Sequence, residues 1–171
     1  MSEIQVRNAT IEDASEILAI YRPYVLNTAI SFEVEVPTVE EISQRIVNYS
    51  INNPYLVATK DDKILGYAYS SPFSPRKAYE YSSEISLYID EAAKGLGIGS
   101  LLYLKMEAEL QARGIVQLIS SITASNTASL AFFEKYDFIK AGQIPNIGYK
   151  FDQWHDVIWM MKTINPQILE A

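Results

Sequence analysis

A glycine-rich turn between a strand and a helix constrains the fold of this 171-residue chain most strongly. Gly95, Gly97 and Gly99 alternate with Leu96 and Ile98, after a run typical of a strand and before a run with helical spacing. Glycines let backbone N–H groups converge without obstruction by Cβ atoms, and the start of a helix adds the positive end of its dipole. Such a turn can hold a pyrophosphate, or it can serve only as a tight connection.

The glycine spacing excludes the two most familiar phosphate-binding turns. The dinucleotide fingerprint requires Gly-x-Gly-x-x-Gly, with an acidic residue about 20 positions later. This turn has Gly-x-Gly-x-Gly, and the strand that follows ends in Ser-Ser-Ile-Thr at residues 120–123. The Walker loop requires Lys and then Ser or Thr after its last glycine, but Ser100 and Leu101 follow Gly99. A phosphate bound here therefore belongs to another class of site.

Hydrophobic periodicity predicts the element order β-α-α-β-β-β-α-β-α-β-β. Strands are expected at residues 4–7, 55–59, 64–70, 84–89, 116–122, 138–143 and 156–162. Helices are expected after capping signals at Thr10 and Thr38, from about Ile98 to Ala112, and at 128–136. Lys60-Asp61-Asp62-Lys63 predicts a hairpin turn. We expect one α+β domain over residues 1–171, with a core at about 4–163 and a mixed sheet containing a strand-helix-strand unit.

Composition and charge exclude several classes of protein. The chain has no cysteine and one histidine, which excludes disulfide scaffolds, thiolate zinc sites and multi-histidine metal sites, so we expect no metal. The net charge of -7 argues against a nucleic-acid partner. The first residues lack the pattern of a signal peptide, and no apolar run reaches the ~20 residues of a membrane span. We therefore expect a soluble, cytoplasmic protein with no membrane partner.

Two motifs resemble the signatures of the GCN5-related N-acetyltransferases, the GNAT family. Residues 94–99, Lys-Gly-Leu-Gly-Ile-Gly, resemble the family's acyl-CoA loop, Gln/Arg-x-x-Gly-x-Gly/Ala, with Lys in first position. Residues 126–138 resemble the second signature. From residue 6 to 161 the chain is similar to the phosphinothricin N-acetyltransferase-like subgroup. The residues that carry this similarity are 20–21, 31–32, 76–79, 84–89, 148–150 and 154–156.

The resemblance implies a fold, a co-substrate and partners. The fold is the GNAT acyl-CoA N-acyltransferase fold, a mixed central sheet with flanking helices, in which two central parallel strands splay apart to admit the cofactor. Acetyl-CoA is the implied co-substrate, and a small-molecule amine is the acceptor. The subgroup also implies a homodimer, with residues 144–155 near the partner, where Tyr149 and Trp154 can bury aromatic area.

The resemblance also assigns roles to individual residues. Glu84 matches the subgroup's proposed general base, although a carboxyl with a pKa near 4.3 must act through water, electrostatics or a raised pKa. Arg76 matches a residue that holds a substrate carboxylate, and Tyr79 and Phe32 shape the rest of that pocket. The cofactor-binding residues implied are Leu87, Tyr88, Ile89, Lys94, Gly95, Leu96, Gly97, Ile98, Gly99 and Asn126. Taken alone, Glu84 can also be an ion-pair partner and Arg76 a solvated charge.

One position departs from the family pattern. Phe133 stands where relatives have Tyr or His, and phenylalanine cannot donate a proton. A thiol pKa near 8.5 lets CoA leave as the bare thiolate. Tyr103 and Tyr136 are alternative acids, but tyrosines on helices are more often packing residues. His155, the single histidine, is expected to be a hydrogen-bonded structural residue rather than a catalytic one.

Two classes of function follow from these residues. The first is an enzyme that transfers acetyl from acetyl-CoA to a small amino-acid-like acceptor of the phosphinothricin or methionine sulfoximine type. The second is an acyl-CoA-binding module without catalysis that regulates a partner, which the missing acid at Phe133 suggests. Within the enzyme class, a polyamine, a peptide N-terminus or an aminoglycoside is an alternative acceptor.

Overall fold

The computed structural model describes residues 3–171, and the predicted order of strands and helices is confirmed there. Met1 and Ser2, the first residues of the predicted domain, lie outside the described residues. A short C-terminal helix at Pro166–Leu169 was not predicted. The elements are β1 (Gln5–Asn8), α1 (Ala14–Asn27), α2 (Val39–Ser50), β2 (Tyr55–Lys60), β3 (Lys63–Pro72), β4 (Ser82–Ile89), α3 (Ile98–Ala112), β5 (Gln117–Thr123), α4 (Thr127–Lys135), β6 (Ile139–Lys150), β7 (Gln153–Thr163) and α5 (Pro166–Leu169).

The strands form one mixed sheet in the order β1-β2-β3-β4-β5-β7-β6. Antiparallel pairing joins β1 to β2, β2 to β3, β5 to β7 and β6 to β7. β4 and β5 are parallel, with Ser82 opposite Gln117 and Glu84 opposite Ile119. This parallel register covers the first three residues of β4, although the strand continues to Ile89. The predicted strand-helix-strand unit is therefore β4-α3-β5.

Contacts divide the chain into two compact units, each assembled from three segments. The first contains residues 3–23, Pro37–Ser71 and Ile85–Gly114, and its buried side chains include Ile17, Leu56 and Leu102. The second contains Tyr24–Val36, Pro72–Glu84 and Ile115–Ala171, with Leu118, Phe133 and Met160 in its core. One of the boundaries along the chain falls within β4, between Glu84 and Ile85. That residues 1–171 form one domain stays a prediction.

Side chains at the predicted capping positions begin the first two helices. The Thr38 hydroxyl accepts a hydrogen bond from the Glu41 N–H at 3.1 Å, and the Glu41 carboxylate accepts one from the Thr38 N–H at 2.6 Å. Before α1, the Asp13 carboxylate accepts a hydrogen bond from the Thr10 N–H at 2.8 Å. These bonds satisfy backbone donors that the first turn of a helix leaves unpaired.

A two-residue turn closes the hairpin of β2 and β3, and another closes the hairpin of β6 and β7. Asp61 and Asp62 connect β2 to β3 with φ angles of 51° and 61°, which confirms the predicted polar turn. Phe151 and Asp152 connect β6 to β7 with φ angles of 54° and 55°. Positive φ at both positions is the geometry of a type I′ turn, whose twist matches that of the flanking strands.

Candidate active site

The glycine turn leads directly into the N-terminus of α3. Gly95 and Gly97 have φ angles of +81° and +78°, in the left-handed region, and Gly97 is the N-cap residue directly before α3. A Cβ built on either glycine has no neighbouring atom within 4 Å, so the turn faces open space. Ile98 is 1% exposed and anchors the helix start in the core. Leu96, by contrast, is 58% exposed. The backbone of the turn is therefore accessible to a ligand.

Lys94 supplies the basic side chain of this turn. Its ammonium group forms an ion pair with the Glu91 carboxylate, one turn earlier in the chain. Both side chains are more than half exposed, and exposed pairs of this kind contribute little to stability. Lys94 can therefore exchange Glu91 for a phosphate oxygen at small energetic cost.

The end of β4 packs closely on the start of α3 because β3 carries a glycine beneath them. A Cβ on Gly66 would lie 2.9 Å from both Ile89 Cδ1 and Ile98 Cγ2, closer than real Cβ atoms approach a neighbour. Leu87 and Tyr88 precede Ile89 and are half-buried, and the Tyr88 ring stacks on Tyr67 with centroids 5.4 Å apart. The structure thus brings the predicted thioester residues of β4 beside the first residue of α3. Sequence reasoning missed Gly66, whose only signal is a glycine inside a strand.

Asn126 is the N-cap residue of α4. Its side-chain oxygen accepts a hydrogen bond from the Ser129 N–H at 3.3 Å, and its amide nitrogen donates one to the Ser129 hydroxyl at 2.8 Å. It belongs to the second unit, whereas Leu87 and the other predicted cofactor residues belong to the first. Capping is the role these contacts explain, and its contact with the pantetheine arm stays a prediction.

Glu84 lies half-buried in the part of β4 that pairs with β5. Burial raises the pKa of its carboxyl above the ordinary value, and a hydrogen bond from the Ser121 hydroxyl partly opposes that increase. A raised pKa brings a carboxylate closer to the range in which it can accept a proton from an ammonium group. The pKa of Glu84 is therefore shifted in the direction that the predicted general base requires.

Arg76 directly precedes a short 3₁₀ turn, Lys77–Tyr79, and Tyr79 is the last residue of that turn, before β4. The Arg76 carbonyl accepts a hydrogen bond from the Tyr79 N–H at 3.0 Å, and the Arg76 side chain is exposed. The Tyr79 ring is 41% exposed and lies 5.5 Å from the Phe73 ring, centroid to centroid. An exposed guanidinium is compatible both with binding a carboxylate and with simple solvation, so its role stays a prediction.

The side chain of Phe32, from the segment between α1 and α2, packs against the hairpin of β6 and β7. Its ring is 6.1 Å from the His155 ring, and it occupies the space beside Gly148, the residue that pairs with His155 across the two strands. The His155 Nε2 atom lies 2.9 Å from the Lys150 carbonyl oxygen. This hydrogen bond fits the structural role expected of His155.

Packing and hydrogen bonding account for Phe133 and for Tyr103 and Tyr136, the two tyrosines considered as alternative acids. Phe133 is 4% exposed, and its ring lies 4.9 Å from the Phe138 ring. The Tyr103 ring is fully buried, and its hydroxyl donates a hydrogen bond to Glu107 in the same helix. Tyr136 is half-buried, with its ring 5.2 Å from that of Phe132. These contacts fit packing roles for both tyrosines.

Residues 3–171 contain neither a metal-binding cluster nor a membrane-spanning helix. No group of three or more His, Cys, Asp or Glu side chains in that range is arranged to hold a metal ion. None of the helices described there combines the length and the hydropathy that a membrane span requires.

Comparison with known proteins identifies the family. The model of the acetyltransferase (GNAT) domain matches residues 6–159. A phosphinothricin N-acetyltransferase of Alcaligenes faecalis is 37% identical over 162 residues, which are 94% of this chain and 82% of that protein. An N-acetyltransferase structure from Staphylococcus aureus Mu50 superimposes with a TM-score of 0.92 and 35% identity, covering 95% of this chain and 99% of that one.

A second solved structure, a GNAT superfamily phosphinothricin acetyltransferase from Sinorhizobium meliloti in complex with AcCoA, has a TM-score of 0.90 and 31% identity. It covers 94% of this chain, and the match covers 88% of that chain. The resemblance, the fold class and the acetyltransferase activity predicted from the sequence are confirmed by these matches. This chain therefore belongs to the GNAT acetyltransferase family.

Proposed function

We propose that this chain transfers the acetyl group of acetyl-CoA to the amine of a small amino-acid-like acceptor. One observation carries the proposal. Three features follow one another along the chain from Glu84 to Gly97. They are the half-buried carboxyl of Glu84 with its raised pKa, the end of β4, and the open glycine turn. These features match, in order, a base, a thioester site and a pyrophosphate site. The named relatives, which include two phosphinothricin acetyltransferases, support the acceptor class.

The proposed reaction gives each group one task. The neutral amine nitrogen forms a bond to the acetyl carbonyl carbon, the carbon–sulfur bond breaks, and CoA leaves as the thiolate. The proton that the nitrogen loses as the amide forms passes to the thiolate, directly or through water. Glu84 accepts the proton that the acceptor ammonium loses, directly or through water. A backbone N–H at Leu87, Tyr88 or Ile89 stabilises the negative charge on the carbonyl oxygen. The exposed turn at Gly95 and Gly97 holds the pyrophosphate through its N–H groups and the dipole of α3.

Release of CoA thiol tests this function. The purified protein is incubated with acetyl-CoA and each of phosphinothricin, methionine sulfoximine, a set of α-amino acids, a polyamine, a dipeptide and an aminoglycoside, and the free thiol is measured. We expect amine-dependent release with an amino-acid-like acceptor. Tight binding of acetyl-CoA with no release for any amine would favour the regulatory module, the second candidate that the phenylalanine at position 133 suggests.

Replacement of Arg76 by alanine is expected to raise KM for an amino-acid acceptor by about tenfold or more. A bidentate arginine contact distinguishes a carboxylate from a neutral amide, because it supplies two charge-assisted hydrogen bonds. KM for acetyl-CoA and for the matching amino-acid amide should change little. Lys77→Ala is the matched control, since it removes the adjacent exposed cation, which pairs with Glu80. Equal effects of the two substitutions would refute a carboxylate contact at Arg76.

We also propose a homodimer that buries the hairpin of residues 144–155. Large apolar side chains are exposed there, and Phe151 keeps an unfavourable φ of +54° at the tip of the hairpin. Bulky residues seldom adopt that conformation, and strained positions cluster where they serve a function. The exposed residues are Ile147 (57%), Tyr149 (55%), Phe151 (53%) and Trp154 (64%).

Sedimentation velocity checks the dimer. The wild-type protein is expected to sediment at twice the chain mass of 19.3 kDa. Trp154→Lys should shift it toward the monomer, because it places a charge within the proposed interface. Lys60→Ala, which changes a charge in the hairpin of β2 and β3 and leaves residues 144–155 intact, serves as the control. A monomer at every protein concentration would exclude the proposed interface.

Predictions about the surroundings of the chain rest on its composition. The net charge of -7 predicts no nucleic-acid partner. Its hydropathy predicts no membrane partner and a cytoplasmic location. The match of the family model to residues 6–159 supports the prediction of one acetyltransferase domain over the chain.

A further inference from the structure

The segment that follows α1 is held in place by side chains of β5 and β6, which belong to the same unit as residues 24–36. Between α1 and α2 the chain has no regular secondary structure. The Thr123 hydroxyl donates a hydrogen bond to the Ala29 carbonyl at 2.6 Å. The Lys150 ammonium donates one to the Ser31 carbonyl and one to the Glu33 carbonyl, each at 2.8 Å. Phe32 lies between the two carbonyls that Lys150 binds.

Lys150 is an unusual residue for this task because its ammonium group is buried. The residue is 5% exposed, and burial lowers the pKa of its side chain while the Glu33 charge partly opposes that decrease. Lysine is almost never fully buried unless its charge is paired or hydrogen-bonded. It is the last residue of β6, next to the turn at Phe151 and Asp152. The hairpin therefore places a buried cation directly against the segment.

The Phe32 ring occupies space that is available only because residue 148 is a glycine. A Cβ built on Gly148 would lie 2.6 Å from Phe32 Cζ and 2.8 Å from Phe32 Cδ2, closer than real Cβ atoms approach a neighbour. The φ angle of Gly148 is outside the left-handed region, so its backbone accepts an alanine. The three atoms nearest to the built Cβ all belong to the ring. Gly142, on the same strand, has no neighbouring atom within 4 Å of a built Cβ.

We infer that Gly148 and Lys150 are positioning residues for acceptor specificity, which set the place of Phe32 and of the segment that carries it. This inference rests on the proposed function, because the family resemblance is what assigns Phe32 to the acceptor pocket. Gly148 leaves room for the ring, and Lys150 fixes the backbone on both sides of it. A side chain at position 148 must displace the ring, and loss of the ammonium must loosen the segment. Neither change alters the acetyl-CoA residues of the glycine turn.

Steady-state kinetics on alanine variants tests the role of Gly148. Gly148→Ala is expected to raise KM for the acceptor by about tenfold with an unchanged KM for acetyl-CoA, because a displaced ring reshapes only the acceptor pocket. Gly142→Ala should change neither value. In the Phe32→Ala background the ring is absent, so Gly148→Ala should add no further change. Sedimentation and thermal unfolding of each variant verify its assembly and folding.

Hydrogen exchange tests the role of Lys150 without any acceptor. Lys150→Met keeps the length of the side chain and removes its donors, so the amides of residues 29–33 should exchange about tenfold faster than in the wild type. Lys150→Arg, which keeps the donors, should restore part of the protection and of the acceptor KM.

Two results would overturn the inference. With wild-type turnover intact, an unchanged acceptor KM in Gly148→Ala or in Lys150→Met refutes the positioning role and leaves the proposed function standing. If the wild-type protein acetylates no amine, the proposed function and the inference fail together.

Discussion

Replacement of Glu84 by glutamine is expected to lower kcat by about 10²-fold or more, while the affinity for acetyl-CoA stays unchanged. Glutamine keeps the shape of the side chain but cannot accept a proton from the acceptor. The carboxyl lies half-buried in β4, and burial raises its pKa. Stopped thiol assays for kcat and calorimetry for acetyl-CoA binding measure the two quantities separately. Wild-type turnover in Glu84→Gln across the whole pH range would exclude Glu84 as the base.

The pH dependence of the reaction follows from the direction of the pKa shift. Only the ionised carboxylate can act as a base, so kcat/KM should fall as the pH decreases through the raised pKa of Glu84. That fall should occur at a higher pH than for an ordinary glutamate. Ser121→Ala removes the hydrogen bond that lowers the pKa, so it should move the fall to still higher pH and leave the maximal kcat nearly unchanged. Such a displacement separates a base from a merely structural carboxylate.

The raised pKa of Glu84 affects activity and stability in opposite directions as the pH rises: activity increases, whereas the free energy of unfolding decreases. A carboxyl whose folded-state pKa exceeds its unfolded value stabilises the fold most below the unfolded pKa, and this contribution is lost as the pH rises through the folded pKa. Above its folded-state pKa, the ionised Glu84 is therefore unfavourable for folding. Glu84→Gln should accordingly retain or increase Tm in that pH range while it loses activity, which excludes unfolding as the cause of the loss.

Replacement of Gly97 by valine is expected to weaken acetyl-CoA binding by about 100-fold. A β-branched residue at φ +78° costs about 1–3 kcal/mol of strain, and its side chain obstructs the space that the pyrophosphate must enter. No atom lies within 4 Å of a Cβ built there, so the effect does not come from a clash inside the protein. Calorimetric titration with acetyl-CoA measures the loss.

Gly114→Val is the matched control for Gly97→Val. Gly114 has a φ of +81° and open space around a built Cβ, but it follows the C-terminal end of α3. The two substitutions should therefore lower Tm by similar amounts, because they impose the same strain. Only the substitution at the N-terminal end should weaken binding. The same Kd for a folded Gly97→Val protein and the wild type would contradict the pyrophosphate assignment.

The element order could be predicted because each element carries its own local signal. The capping pair of Thr38 and Glu41 predicts the start of α2 from four consecutive residues. The lengths of β6 and β7 could not be predicted, since Pro145, Asn146 and Gly148 disfavour a regular strand. The structure accommodates them through a register shift between Ile144 and Gly148, with Asn146 at φ +52°, and both strands continue to the hairpin turn.

The parts of the candidate site that depend on one segment of sequence could be predicted, whereas the parts that depend on residues far apart in the chain could not. The glycine turn could be predicted because three alternating glycines before a helical pattern are a local signal, whereas its binding of a ligand stays a proposal. The surroundings of Glu84 depend on Ser121 and on burial by other strands, which one segment of sequence does not contain. The partners of Lys150 lie 119 and 117 positions earlier in the chain. Such contacts become visible only in three dimensions.

The ion pair between Lys94 and Glu91 bears on how binding responds to salt. In the proposed site, the pyrophosphate takes the place that the Glu91 carboxylate occupies on Lys94. One ion pair is exchanged for another, and dissolved ions screen both pairs together. The affinity for acetyl-CoA should consequently vary less with ionic strength than the negative charge of that ligand suggests. A protein that is itself strongly acidic can in this way retain an anionic co-substrate over a wide range of salt concentrations.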